Sequence, residues 1–448
     1  MTLLVRDAEV DGRRADVLVA DGRVVSVTAP GPVPAGTGDV LDAAGGALLP
    51  GLADHHIHLH ALAAARRSVP AGRTRADLAR ALASAEPDPH GWVRVVGNRD
   101  DTLDGATLDE LAPGRRVRVQ HRSGALWTFS PAALAAVRAG DHPGAERAPD
   151  GTLTGRLFRA DDWLRARLPD RAPPDLDAVG AELAGYGITA VTDATPDLDT
   201  TAATALTAAR QRLTLLGVPL GRRPPPGAVT GPYKIVLADS GLPDPDTLAE
   251  RIRAAHAAGR AVAVHTVTRE SLVLLLVALH AAGRDPRDRV EHAALVPTEL
   301  VADLRGLAVV TQPGFLADRG DDYRRDVPAG EHTDLYRCRS LAAAGVRLAL
   351  SSDAPYGPAD PWAVIHAATT RVTPDGEPLG PAETLSARAA LDAYLTSPAD
   401  PGGRPRRVVA GAQADLVLLH VPLDEALRRP SAEHVRATLI DGAVVTVR

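Results

Sequence analysis

Short runs of Val, Ile, Leu and Ala alternate along the middle of the chain with longer segments in which Ala, Leu and Arg recur at helical spacing. The runs are Leu52–His58, Ile188–Ala194, Leu213–Val218, Tyr233–Asp239, Ala261–Val267, Arg289–Leu295, Ala308–Gln312 and Arg347–Asp353. Eight strand-helix units at this spacing predict an α/β protein built on a (β/α)8 TIM barrel. Asp246–Ala258 illustrates the intervening helices. Leu248, Ile252 and Ala255 share one face, Glu250, Arg251 and Arg253 the other, and Asp246 is the expected N-cap.

The two ends read differently. Ala15–Ala20 and Arg23–Val27 flank Asp21-Gly22, and Ala437–Ile440 and Ala443–Val447 flank Asp441-Gly442, a strong hairpin signal in each case. Further strands are expected at Leu3–Val5 and Ala414–Leu419. Neither end is long enough for its own core, so residues 1–50 and 405–448 are expected to form one composite β-sandwich. The barrel then occupies residues 51–404. The stretch from about 60 to 175 exceeds a single connection and predicts an inserted α+β subdomain, with extended segments at Trp92–Val96 and around Val117–Trp127.

With 448 residues, 45% of them hydrophobic, the chain can bury a large core. Its net charge is −6 and no stretch interleaves basic and aromatic residues, which argues against a nucleic-acid partner. The longest apolar run, Leu272–Leu279, is far short of the roughly 20 residues that span a bilayer, and it reads as a buried helix face. No signal peptide is apparent, and the single cysteine, Cys338, fits a reducing compartment. A cytoplasmic enzyme with a small-molecule substrate is expected. Barrels often pair, which is compatible with a homodimer, although nothing marks an interface.

Lys234 is the sole lysine among fifty basic side chains. An arginine never presents a free amine, whereas a buried lysine can lose its proton and react with carbon dioxide to give a carbamate, a carboxylate able to hold two metal ions. Its neighbours support that chemistry. His56 and His58 alternate on one face at the end of the first predicted strand, and His265, His292 and Asp353 follow Lys234 near later strand ends. The successive spacings from Lys234 to His265, His265 to His292 and His292 to Asp353 are 31, 27 and 61 residues, matching one, one and two strand-helix units. These nitrogen and oxygen donors suit zinc, and less specifically manganese, iron, cobalt or nickel. Tyr233, Gln312, Tyr323 and Tyr356 are candidate substrate contacts, with His60 and His121 in or near the insert; the loops Pro313–Asp326 and Tyr356–Trp362 are expected to shape the pocket.

The run Pro50-Gly51-Leu52-Ala53-Asp54-His55-His56-Ile57-His58 resembles the opening signature of the amidohydrolase superfamily. Arg289-Val290-Glu291-His292, Ser352-Asp353-Ala354-Pro355 and Gly411-Ala412-Gln413-Ala414-Asp415-Leu416 resemble its later landmarks. Gly91-Trp92-Val93, Thr107–Pro113 and Gly151–Gly155 are similar to the insert of the type 3 branch, which includes N-substituted formamide deformylase. The resemblance implies two divalent ions, most simply zinc. His56 and His58 would hold one with Asp353, His265 and His292 the other, and a carbon dioxide-derived carboxylate on Lys234 would bridge both. It further implies cleavage of an amide, formamide, lactam or urea-like C–N bond by a metal-bridging hydroxide, with Asp353 as the catalytic proton carrier. The rival expectations are a mononuclear deaminase of a heterocyclic amine and an inactive binding protein on the same fold. The chain departs from the family pattern at Thr268-Arg269-Glu270, at Arg122-Ser123-Gly124 before Trp127, and at Asp239-Ser240.

Overall fold

A computed structural model describes residues 2–33, 38–168, 174–238 and 241–447. Asp239-Ser240 lies outside the described residues. The chain divides into two compact units, one formed by Met1–Leu59 with Leu176–Arg448 and the other by His60–Asp175.

Each of the eight apolar runs carries a strand, and all pair in parallel within two sheets. One sheet joins Leu52–Ile57, Ile188–Asp193, Arg212–Leu215 and an unpredicted short strand, Ala228–Thr230. The other runs Tyr233–Val236, Val262–Thr266, Arg289–His292, Ala308–Thr311 and Arg347–Leu350 in that order. Backbone hydrogen bonds cross between them at both ends. Lys234 N–H donates to the Leu216 carbonyl at 3.2 Å, and Asp353 N–H to the His56 carbonyl at 2.8 Å. Parallel strands are covered on both faces, and every residue of Leu52–Ile57, Ile188–Asp193 and Arg289–His292 is buried.

The helix-facing layer is aliphatic. Ile235, Val264 and Val290 pack under Leu248 and Ile252 of helix Pro245–Ala257 and under Leu272, Leu275 and Leu279 of helix Arg269–Ala282. Each such fully buried side chain stabilises the fold by about 1.5–3 kcal/mol. The first of these helices begins two residues earlier than the sequence suggested. Asp244, not Asp246, caps it by accepting from Thr247 N–H, because Pro245 occupies the first helical position, where its missing N–H costs nothing.

The two chain ends form antiparallel sheets of four strands each, apart from one parallel pair in the first. One contains Thr2–Val10, Arg13–Ala20, Arg23–Thr28 and Asp39–Asp42; the other contains Leu48–Pro50, Leu416–Leu419, Val435–Ile440 and Ala443–Val447. Both hairpins turn where expected, with φ of 50° and 72° at Asp21-Gly22 and 52° and 76° at Asp441-Gly442, the left-handed pair that a two-residue turn between right-twisted strands needs. One core serves both sheets: Leu3, Val5, Val17 and Val19 meet Leu416, Leu418, Ala437 and Leu439.

The His60–Asp175 unit has a six-stranded mixed sheet. Trp92–Asn98 and Arg116–His121 pair in parallel at its centre, and Leu126–Phe129 continues it antiparallel. One further expectation is corrected. Gly314–Asp326 is helical and not a loop, with a break at Arg319 where φ is −137°. Its charged, weakly apolar sequence and its lack of a side-chain cap hide the helix from pattern reading. Among the described residues, no helix is long and apolar enough to cross a membrane.

Candidate metal centre

The ends of the parallel strands bring six polar side chains together in one buried place. His56 and His58 close the Leu52–Ile57 strand, and both approach Asp353, whose Oδ1 lies 3.7 Å from His56 Nε2 and 3.3 Å from His58 Nε2. These three residues can each offer a ligand atom within 4.8 Å of the others. Lys234 Nζ lies 3.4 Å from His56 Nε2. The His292 ring sits 4.7 Å from His56 and 4.4 Å from His265, centre to centre. All six residues implied as ligands therefore converge.

Local backbone geometry explains two of the placements. His292, the last residue of its strand, and Asp353, just beyond the end of its own, adopt left-handed conformations, with φ of 67° and 51°. Such conformations are uncommon for residues with a side chain and concentrate at functional sites. At His292 the reversal turns the imidazole inward even though its neighbour Glu291 already points inward; in a continued strand one of the two would face the helices.

Burial controls the charge. Desolvation, followed by the nearby Lys234, holds His56 well below the ordinary histidine value, and the same causes push His265 down to about 3. The His292 imidazole is likewise depressed by burial and by its histidine neighbours. Burial also lowers Lys234 to about 8, against the opposing pull of Glu291 and Asp353, and raises Asp54 to about 7. Neutral imidazoles and an accessible amine are the states that bind metals or react as nucleophiles.

Each of three imidazoles has its Nδ1 engaged. His56 Nδ1 hydrogen-bonds to Glu291 Oε2, His58 Nδ1 lies 3.2 Å from Thr195 Oγ1, and His292 Nδ1 donates to Gln312 Oε1 at 2.9 Å. Their Nε2 atoms are left for ligation. Among the described residues, Asp353 Oδ1 is buried without a hydrogen-bond partner, although an unpaired buried carboxylate oxygen is costly.

The substrate candidates separate. The Tyr356 ring stands 5.6 Å from the His58 ring, and its N–H donates to the Asp353 carbonyl at 2.9 Å. Tyr323 lies in the neighbouring aromatic cluster, its hydroxyl 2.9 Å from that of Tyr336. Two candidates have other surroundings. Tyr233 packs on the helix-facing core beneath Arg260, because alternation along the strand turns it away from Lys234. Gln312 is buried and its amide is used internally, toward His292, Val310 and Ser351. His60 and His121 belong to the second unit, where His121 Nδ1 lies 2.8 Å from Ser123 Oγ. Glu291, Arg289 and Thr195 were not singled out from sequence. The Arg289-Val290-Glu291-His292 landmark and the adjacency of Glu291 to His292 on a buried strand are the signals that could have pointed to two of them.

Residues 39–446 match the amidohydrolase family, and the chain belongs to it. Among individual relatives, the N-substituted formamide deformylase of Arthrobacter pascens is 32% identical over 195 residues, which is 41% of this chain and 36% of that protein. The adenine deaminase of Deinococcus deserti is 38% identical over 107 residues, 21% of this chain and 17% of that one. The matches thus span well under half of either relative. Among solved structures, an uncharacterized metal-dependent hydrolase from Pyrococcus horikoshii OT3 superposes with a TM-score of 0.73 at 17% identity, covering 99% of this chain and 100% of that one. That likeness gives a TIM-barrel-type α/β fold.

Proposed function

We propose that this protein is a metal-dependent hydrolase of non-peptide C–N bonds, acting on an amide, formamide, lactam or urea-like group. The observation that carries the reading is Asp353 Oδ1, buried without a hydrogen-bond partner among the described residues and facing His56 and His58 Nε2. A carboxylate oxygen beside two neutral imidazole nitrogens is a donor set fit for zinc. The deformylase relative supports the choice of bond, since its name describes removal of an N-formyl group.

In this reading His56, His58 and Asp353 would hold one divalent ion and His265 and His292 a second. Lys234, once its amine has added to carbon dioxide with formation of an N–C bond and release of one proton, would supply a carboxylate to both. The ions would polarise the scissile carbonyl and bring the pKa of a bound water toward neutrality. Asp353 takes the proton of the attacking water and delivers it to the leaving nitrogen. Tyr356, against His58, lines the approach. The eight predicted strands of the two parallel sheets are read as one closed barrel spanning residues 51–404, with the short Ala228–Thr230 strand as an addition, the terminal sheets as a composite sandwich and residues 60–175 as an insert.

A mononuclear deaminase is the second reading, favoured by the compactness of the His56, His58 and Asp353 triad, which is a complete set for one ion. Metal analysis separates the two. About two zinc ions per chain, with turnover in a panel of formamides, amides, lactams and ureas, supports the hydrolase. One ion with ammonia release from heterocyclic amines supports the deaminase, and a metal-loaded protein inert to both panels overturns either.

A further inference from the structure

We propose that Glu291 is a positioning residue for the metal centre: it holds the His56 ring with the proton on Nδ1 and the Nε2 lone pair facing Asp353 and Lys234, and Arg289 braces it there. This rests on the metal-centre reading above.

The geometry is a closed chain of contacts. Glu291 is wholly buried, and its two oxygens have different partners. Oε1 accepts from Arg289 Nε–H, and Oε2 faces His56 Nδ1. Because a carboxylate can only accept, the His56 proton resides on Nδ1 and Nε2 is left as a lone pair. That nitrogen is the one lying 3.4 Å from Lys234 Nζ and 3.7 Å from Asp353 Oδ1. The same guanidinium donates from Nη2 to the His55 carbonyl at 2.9 Å. Arg289 therefore grips both the carboxylate that orients the His56 ring and the backbone that precedes His56. One strand thereby fixes a ligand of another. A carboxylate on the far nitrogen of a metal-binding imidazole sets its tautomer and orientation and raises its basicity.

A purely structural account makes Glu291 the counter-charge of a buried arginine. Arg289 would then need only one carboxylate oxygen, and the direction of the second would be of no consequence. It points at the only nitrogen of His56 that does not face the other ligands.

The test uses the full chain, stripped of metal and titrated with cobalt(II), with zinc affinity measured by chelator competition. Native protein should take up cobalt with a visible ligand-field spectrum. Glu291→Ala should lose about 10- to 100-fold in affinity for an ion held by His56, with a changed spectrum and unchanged far-ultraviolet circular dichroism. Glu291→Gln keeps one acceptor oxygen and should fall between the two. Should the alanine chain fail to fold, the glutamine variant supplies the comparison. Folded variants that lose thermal stability yet bind zinc and cobalt as the native chain does would overturn the positioning role alone. A native chain that takes up no cobalt or zinc would overturn the metal-centre reading, and this proposal with it.

Discussion

The main unit contains two interiors of opposite character. Where the chain ends meet, Leu3, Val5, Val17, Leu416, Leu418 and Leu439 form a core of aliphatic groups. Where the parallel strands meet, the buried positions include Asp54, His56, Thr192, Asp193, Lys234, Glu291, His292, Thr311 and Asp353. Unsatisfied polar atoms follow the same division. Asp54 Oδ2, Thr189 Oγ1, Thr192 Oγ1, Arg289 Nη1, Thr311 Oγ1 and Asp353 Oδ1 lack partners in the second interior, and among the described residues the terminal sheets have none. Native cores rarely leave such groups orphaned. Their concentration in one interior marks a region arranged for chemistry at the expense of stability.

The largest expected effect falls on the polar interior. Lys234→Ala should reduce hydrolysis below detection and lower metal content, with part of the activity restored by added formate or acetate standing in for the missing carboxylate. Lys234→Arg should behave like the alanine variant without the rescue, since the guanidinium cannot be carboxylated. Full activity in the arginine variant would remove the bridge. Asp353→Asn should lower kcat by about 10^2–10^4-fold, the range of a lost general acid or base. In the metal-free protein it should leave thermal stability unchanged or raised, because a neutral amide replaces a buried carboxylate whose Oδ1 has no hydrogen-bond partner among the described residues. A destabilised, active Asp353→Asn enzyme would contradict the comparison.

The apolar interior should respond in the opposite sense. Leu418 is fully buried in the shared core of the terminal sheets. Leu418→Ala should cost about 2–5 kcal/mol of stability through lost burial and the cavity left behind. Metal stoichiometry and KM should be unaltered at temperatures where the variant stays folded. Chemical denaturation with parallel metal analysis checks both halves. A change in metal content would show that the two interiors are coupled.

The sequence made both interiors legible, but unequally. Alternation placed His56 and His58 on one face, a single lysine drew attention to position 234, and even unit spacing carried the pattern to His265, His292 and Asp353. Those signals are local or periodic. Glu291 was hidden because alternation with an inward-facing His292 would turn it toward the helices; the left-handed conformation at His292, which no periodicity encodes, lets both face inward. Tyr233 shows the same rule from the other side, since its adjacency to Lys234 placed it on the opposite face. At the amino-terminal end, Asp7 at φ 56° interrupts the alternation between Val5 and Ala8, so a strand running Thr2–Val10 was read only as Leu3–Val5.

The smallest predicted effect refines the comparison, because the same substitution is made in a terminal sheet, on the face opposite Ala437 and Leu439, and in the parallel-strand interior. Thr438, in the terminal sheets, is wholly buried and donates to the Ala184 carbonyl at 2.7 Å. Thr438→Val should cost about 0.5–1.5 kcal/mol, the net worth of one hydrogen bond, since the Ala184 carbonyl keeps its bond from Gly187 N–H. Thr311, in the parallel-strand interior, is equally hidden, but its hydroxyl has no hydrogen-bond partner among the described residues. Thr311→Val should therefore be neutral or stabilising by up to about 1 kcal/mol, since an apolar group replaces an unsatisfied one. Equilibrium unfolding of the two metal-free variants measures the difference in sign. Equal losses at both positions would mean that the Thr311 hydroxyl is satisfied in solution, and the contrast between the two interiors would then rest on the metal ligands alone.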